Sequence, residues 1–175
     1  MSLSAAEVHG AAHQAPQTLQ VAVGAPVADR TFGRVRLQFA VCARAADVPR
    51  EQYTAPTGRV WVATPATTAL DLVDDPDRSG GLSNAATVIA ELADDGKLTD
   101  DALADAARYF PITTVRRLGR LLDSLDLPAL TDGLERLASE HRRAPITALD
   151  RRRAAEGPVD HRWRVAVNTE LDPDL

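Results

Sequence analysis

The alternation of apolar and polar residues divides the chain into an early strand-rich part and a longer helical part. Ser4 to His13 is rich in alanine, is interrupted only by Gly10, and predicts a short helix. After Pro16, Leu19, Val21 and Val23 alternate with Thr18, Gln20 and Ala22, which is the period of a strand over Thr18 to Gly24. Ala25 to Gly33 carries Pro26, Asp29 and Gly33 and reads as a loop. Arg34 to Cys42, RVRLQFAVC, is the clearest strand: Val35, Leu37, Phe39 and Val41 point one way, Arg34, Arg36 and Gln38 the other. Ala43 to Gly58, with Pro49 and Pro56, reads as irregular. Arg59 to Ala63 is a third short strand with Trp61 opposite Val60 and Val62.

Helical period then takes over. Thr64 is a good N-cap and Pro65 suits the first helical position, so a helix starts there and stops at Asp75-Pro76. Leu82 to Leu92 forms the next helix, ended by Gly96, and Thr99 followed by Asp100 and Asp101 starts another that runs to about Tyr109. Pro111 breaks it. Thr113 or Thr114 caps TVRRLGRLLDSLD, in which Val115, Leu118, Leu121, Leu122 and Leu125 fall within an arc of about 120° at 100° per residue. Leu130 to Arg142 is the last helix. His161 to Asn168, HRWRVAVN, alternates again and predicts a final strand, followed by an acidic end, Glu170 to Leu175, expected to fray.

Strands and helices are therefore segregated, which predicts an α+β fold. The expected form is a small, mostly antiparallel sheet, made of the N-terminal strands plus the C-terminal strand and packed on one face by about five helices. It is read as a single domain over 1–175: N-terminal helix 1–16, sheet 17–63, helical part 64–143, return strand and tail 144–175. The length of 175 residues suits that reading.

Composition narrows the function. No apolar run approaches the roughly 20 residues that span a bilayer, and the first residues lack the pattern of a secretory signal. Cys42 is the only cysteine, which excludes an intrachain disulfide and a thiolate zinc cluster. A cytoplasmic protein is expected. The net charge of −5 hides an uneven distribution. Asp71 to Asp105 carries a local charge of −8, whereas Arg116 to Arg164 carries +3. These segments either present different faces to partners or are solvated helix faces.

The chain carries few residue patterns suited to catalysis. No phosphate-binding GxxxxGK[ST] or GxGxxG motif is present. His9 and His13 have the spacing of a helical metal pair but lack a third ligand, so no metal is assigned. His141 and His161 sit among arginines. Asp71, Asp74 and Asp75 form a carboxylate cluster that reads equally as a solvated helix end. Cys42 closes an apolar strand where a small buried thiol is ordinary. No catalytic residue and no cofactor are expected, and the protein is read as a non-enzyme.

Two sets of arginines stand out. If the strands pair as expected, Arg34, Arg36, Arg162 and Arg164 share the exposed sheet face with Trp61, a surface suited to phosphates or carboxylates. Arg116, Arg117 and Arg120 form a ridge opposite the leucine stripe of their helix. That ridge could meet nucleic acid, an acidic partner, or the acidic Asp71 to Asp105 segment of the same chain. These seven arginines are the candidate nucleic-acid or partner-binding residues.

Four segments, in order, resemble a known family. VWVATPATTALDLVDDPDRSGG resembles the strand, T-P-x-x-T-x-x-D helix start and glycine loop of AbiEi-type antitoxins. RRLGRLLDSLD resembles that family's "RLGyLLe" helix, SAAEVHGAAHQAPQTLQVAV its N-terminal helix and first strand, and WRVAVN its closing strand. The resemblance implies the C-terminal antitoxin region of the AbiEi family, from abortive-infection toxin–antitoxin systems. It implies neutralisation of a nucleotidyltransferase toxin, AbiEii, as a functional and not necessarily physical partner. It also implies a contribution to operon autorepression, with DNA as a further partner. The family's winged helix normally precedes the matched region, and none of its residues has a counterpart here. The alternative reading is a non-enzymatic protein-interaction or self-association module that has lost its DNA-binding half. Thr64-Pro65, Gly119 and Trp163 carry the resemblance and read as structural: a helix cap, a close helix contact and a core anchor on a strand.

Overall fold

Thr64 marks the change from strand to helix, as its cap chemistry requires. Its hydroxyl accepts a hydrogen bond from the Thr67 amide at 3.3 Å, and Pro65 takes the first helical position. The computed structural model describes residues 2–11, 18–55 and 58–174. Among the described residues six α-helices run in chain order as α1 (Ser2–Val8), α2 (Pro65–Asp74), α3 (Leu82–Asp94), α4 (Asp100–Ala107), α5 (Ile112–Ser124) and α6 (Asp132–Glu140). The strands are β1 (Thr18–Val23), β2 (Arg30–Phe32), β3 (Val35–Val41), β4 (Arg50–Ala55), β5 (Gly58–Ala63), β6 (Thr147–Ala148), β7 (Val159–Asp160) and β8 (Val165–Ala166). The fold is α+β, with small and mostly antiparallel sheets.

Helix α2 is the hub. Ala66 to Leu70, Leu72 and Val73 are all buried, so it is enclosed on nearly every side. It packs against α1, α3, α4 and α5. Its two buried threonines are satisfied by backbone: Thr67 Oγ1 donates to the Pro49 carbonyl at 2.9 Å and Thr68 Oγ1 to the Ala63 carbonyl at 3.5 Å. Thr99 caps α4 by accepting from the Ala102 amide, as its sequence predicts. The leucine stripe of α5 is buried at Val115, Leu118, Leu121 and Leu122.

Three small sheets replace the one expected. In the first, β3 is central, parallel to β1 and antiparallel to β2, with Val21 opposite Phe39 and Thr31 opposite Arg36. The second is the β4–β5 hairpin, with Gln52 opposite Trp61. The third brings β8 between β6 and β7. The C-terminal strand therefore does not rejoin the N-terminal sheet. Instead of one continuous strand, His161 to Asn168 contains a turn at 161–164, because Arg164 adopts a left-handed φ of +55°. That bend lets Trp163 turn inward, fully buried, instead of lying along a strand.

Two segments read as loops are strands. β2 lies within 25–33, and β4 lies within 43–58, where Glu51, Gln52, Tyr53 and Thr54 are all exposed and carry no apolar alternation. The helices do not blanket the first sheet either: Val35 and Val41, on the supposed inner face of β3, are 50% and 58% exposed, while Ala40 on the opposite face is buried. The helices pack mainly on one another, and β1 meets α1, where Ser4 Oγ accepts from the Gln20 amide at 2.8 Å. The tail is docked where fraying was expected. The amides of Asp172 and Asp174 donate to Ser83 Oγ and Thr87 Oγ1 of α3, and Leu171 packs on the core. The first helix ends at Val8, short of the expected His13, because residues 9–10 form a turn in which Gly10 takes φ +80°; residues 12 and 13 lie outside the described residues.

Candidate functional site

The seven candidate arginines fall into three structural groups. Arg34, in the β2–β3 turn, and Arg36, on β3, are exposed and form no ion pair with a described residue. Arg162 and Arg164 lie in the loop between β7 and β8, on a different sheet. The four therefore do not share one sheet face. Trp61 is 60% exposed, on the hairpin, under the Arg50 guanidinium rather than beside any of the four.

The α5 arginines do not form an open ridge. They clasp the chain that follows α6. Arg116 is fully buried, and its guanidinium donates to the Pro145 carbonyl at 2.8 Å and the His141 carbonyl at 2.7 Å. Arg117 Nε donates to the Ala148 carbonyl at 2.8 Å. Arg120 Nε lies 3.3 Å from Asp160. Helical period put these residues opposite the leucines, as observed, but that face is covered by residues 141–160. Burial, with Arg151 nearby, lowers the Arg117 pKa. The ridge is engaged within the chain, but by carbonyls and Asp160, not by the Asp71 to Asp105 segment that the intramolecular reading named.

The acidic segment is answered by other arginines. Arg151 binds Asp75 at 2.8 Å, and Arg152 binds Asp77 at 3.0 Å and Asp150 at 3.1 Å. Arg162 is equally occupied: it reaches Asp123 and Glu135, each at 2.7 Å, and stacks over the Trp163 ring at 5.0 Å. Burial works against its charge, but Glu135 and Asp123 outweigh that and raise its pKa.

A polar centre that sequence reasoning did not assemble lies at the C-terminal end of α2. Arg44 bonds Asp74 and approaches Asp71 at 3.4 Å, and its guanidinium lies 4.3 Å from the Phe110 ring centroid. Thr114 Oγ1 donates to Asp74 at 2.6 Å. Burial raises the Asp71 carboxyl above the usual aspartate range, only partly offset by Arg44. This centre separates two clefts. One of 440 Å³ is walled by Leu19, Val21, Val48, Val60 and Val62; the other, of 500 Å³, by Val41, Asp75, Arg78 and Tyr109. Half-buried Cys42 faces both. Arg44 lies in a segment read as irregular, which concealed its role; the signal was a lone arginine ahead of an acidic helix end.

Among the described residues, no group of three His, Cys, Asp or Glu is placed to hold a metal. His9 instead shares a hydrogen bond of 2.8 Å with the Ala63 carbonyl and lies 3.6 Å from Glu51; His13 lies outside the described residues. No described helix is long and apolar enough to cross a membrane.

Comparison with curated proteins and with solved structures gives no match. A family model described as the AbiEi antitoxin C-terminal domain matches residues 1–124. The match takes in α1 to α5 and the first two sheets, and ends before Trp163. Gly119, Thr64 and the Arg44–Asp71–Asp74 centre all fall inside it. Since the match covers well over half of the 175 residues, the chain belongs to the AbiEi antitoxin C-terminal domain family.

Proposed function

We propose that this protein is the antitoxin of a pair whose toxin is a nucleotidyltransferase, that it counteracts the toxin in the cytoplasm without catalysis of its own, and that it contributes to repression of its operon. The supporting observation is the family match over residues 1–124. Arg34 and Arg36 are the candidate residues best suited to contact DNA or another acidic partner. Both are exposed and form no ion pair with a described residue, whereas Arg116, Arg117, Arg120 and Arg162 are engaged within the chain. Co-expression with a nucleotidyltransferase toxin from a neighbouring gene tests the reading. Restored growth is expected, and continued growth arrest with soluble protein present would count against it.

A second reading, a protein-interaction or self-association module, is favoured by apolar side chains left in water. Phe32 is 61% exposed, and Val35, Val41 and Trp61 are exposed to a similar degree. A monomer by light scattering, with no partner retained in a pulldown, would oppose it.

A further inference from the structure

A pocket of 430 Å³ lies between α6 and the 161–164 loop, with Arg116, Arg142, His161 and Arg164 among its walls. Its floor carries a charge that the protein does not balance. Arg116 is wholly shielded from water, yet no carboxylate among the described residues pairs with it. Two carbonyls take its terminal nitrogens, and its Nε has no partner among the described residues. Apart from burial, the influence that lowers its pKa is a second cation, Arg164.

Arg164 shows the same deficit. Its Nε is buried and has no partner among the described residues, and its Nη2 bonds the Ala144 carbonyl at 3.3 Å. Its backbone is left-handed at φ +55°, a conformation that side-chain-bearing residues keep only where their surroundings enforce it. Arg142, at the mouth, is exposed and unpaired among the described residues. The one acid in the wall, Glu135, is held by Arg162 at 2.7 Å, and Asp123 beyond it is shared between Arg162 and Trp163 Nε1. The nearby acids are thus spent, and Arg116, Arg142 and Arg164 leave the pocket with excess positive charge.

Buried charge without a counter-ion is costly, and guanidinium groups match the oxygens of a tetrahedral anion with directed hydrogen bonds. The pocket is large enough for such an anion with a small organic group attached. We propose that it binds the phosphate of a small phosphomonoester. Arg142 and Arg164 donate to the phosphate oxygens, and Arg116 adds its charge from beneath. This site is independent of the antitoxin reading: toxin rescue could fail and the pocket still bind phosphate.

The test is a titration of the full chain with inorganic phosphate against chloride at matched ionic strength, and with adenosine monophosphate against adenosine. Phosphate and the nucleotide are expected to bind and raise the melting temperature, and adenosine and chloride to do neither. Tighter binding of the nucleotide identifies an ester as the ligand; equal binding identifies the free phosphate ion. Arg142→Ala and Arg164→Gly should each weaken binding about tenfold or more, the effect of losing a charge-assisted hydrogen bond. Arg164→Gly also relieves the left-handed backbone; if it does not fold, the exposed Arg142→Ala variant decides alone. No response of the wild-type chain to phosphate beyond that to chloride, or unchanged affinity in the folded variants, would overturn the assignment.

Discussion

The indole of Trp163 occupies the space that a side chain at position 119 would need. A Cβ placed on Gly119 would stand 2.2 Å from Cζ3 of the ring and 2.3 Å from Cη2. Trp163 has no exposed surface, and its Nε1 donates to Asp123 of the same helix at 2.5 Å. The ring is therefore fixed from both ends against α5, and glycine is the residue that lets helix and loop approach so closely.

Gly119→Ala should accordingly destabilise the fold. Alanine gains roughly 1 kcal/mol of helix propensity, but contacts near 2.2 Å are far inside the usual carbon–carbon separation of about 3.5–4.0 Å. Overpacking of this kind costs about 1–3 kcal/mol, and a ring with no free space around it puts the cost at the upper end. A net loss of about 2 kcal/mol corresponds to a melting temperature lower by roughly 4–8 °C. Thermal unfolding of Gly119→Ala measures it. The double variant with Trp163→Phe, whose smaller ring relieves the clash, should lose less than the sum of the single changes.

Two aspartates should respond to pH in opposite senses. Burial raises the folded-state pKa of Asp71 above that of an unfolded aspartate, about 3.9. Its contribution to stability is therefore present below that value and lost as pH rises through the folded pKa. Hydrogen bonds from Arg152 lower the pKa of Asp150, so its contribution is present above about 3.9 and lost as pH falls through the folded pKa. Asp71→Asn should thus compare more favourably with the wild type as pH rises from about 4 towards neutrality. Asp150→Asn should be less stable than the wild type at neutral pH, with the gap closing in acid. Denaturant unfolding across that range reads both; parallel curves for the two variants would refute the assignment.

The arginines should separate by what they hold. Arg34→Ala with Arg36→Ala removes exposed cations and should alter stability by no more than about 0.5 kcal/mol, while lowering the salt dependence of any DNA binding by about two charges. Arg116→Ala removes a fully buried guanidinium and the bonds it gives to the carbonyls of His141 and Pro145. A hydrogen bond to a charged group contributes about 1.5–3 kcal/mol, so this variant should melt well below the other. Calorimetry of the two variants, with salt-dependent DNA titration of the first, makes the comparison.

Much of the helical half was legible along the chain because its signals are local. The threonine caps at Thr64 and Thr99, the proline at position 65 and the leucine stripe of α5 depend on neighbours within a few residues, and the described helices follow them. The family resemblance rested on the same local motifs. Strand partnership is another matter. Hydrogen bonds between β1 and β3, or among β6, β7 and β8, join residues far apart in sequence, and alternation names a strand without naming its neighbour. β4 carried no apolar alternation because both its faces meet water. The arginines show the same limit. Helical period placed Arg116 opposite the leucines, but a helix has no means of declaring that a second face will be covered. The chain beyond α6 covers it, turning a supposed ridge into a buried clasp and leaving a cationic pocket beside it. The sequence by itself determined the helices, the α+β class and the family, since each depends on nearby residues. Which strands pair, which charges are buried and which remain open were decided by contacts between distant segments.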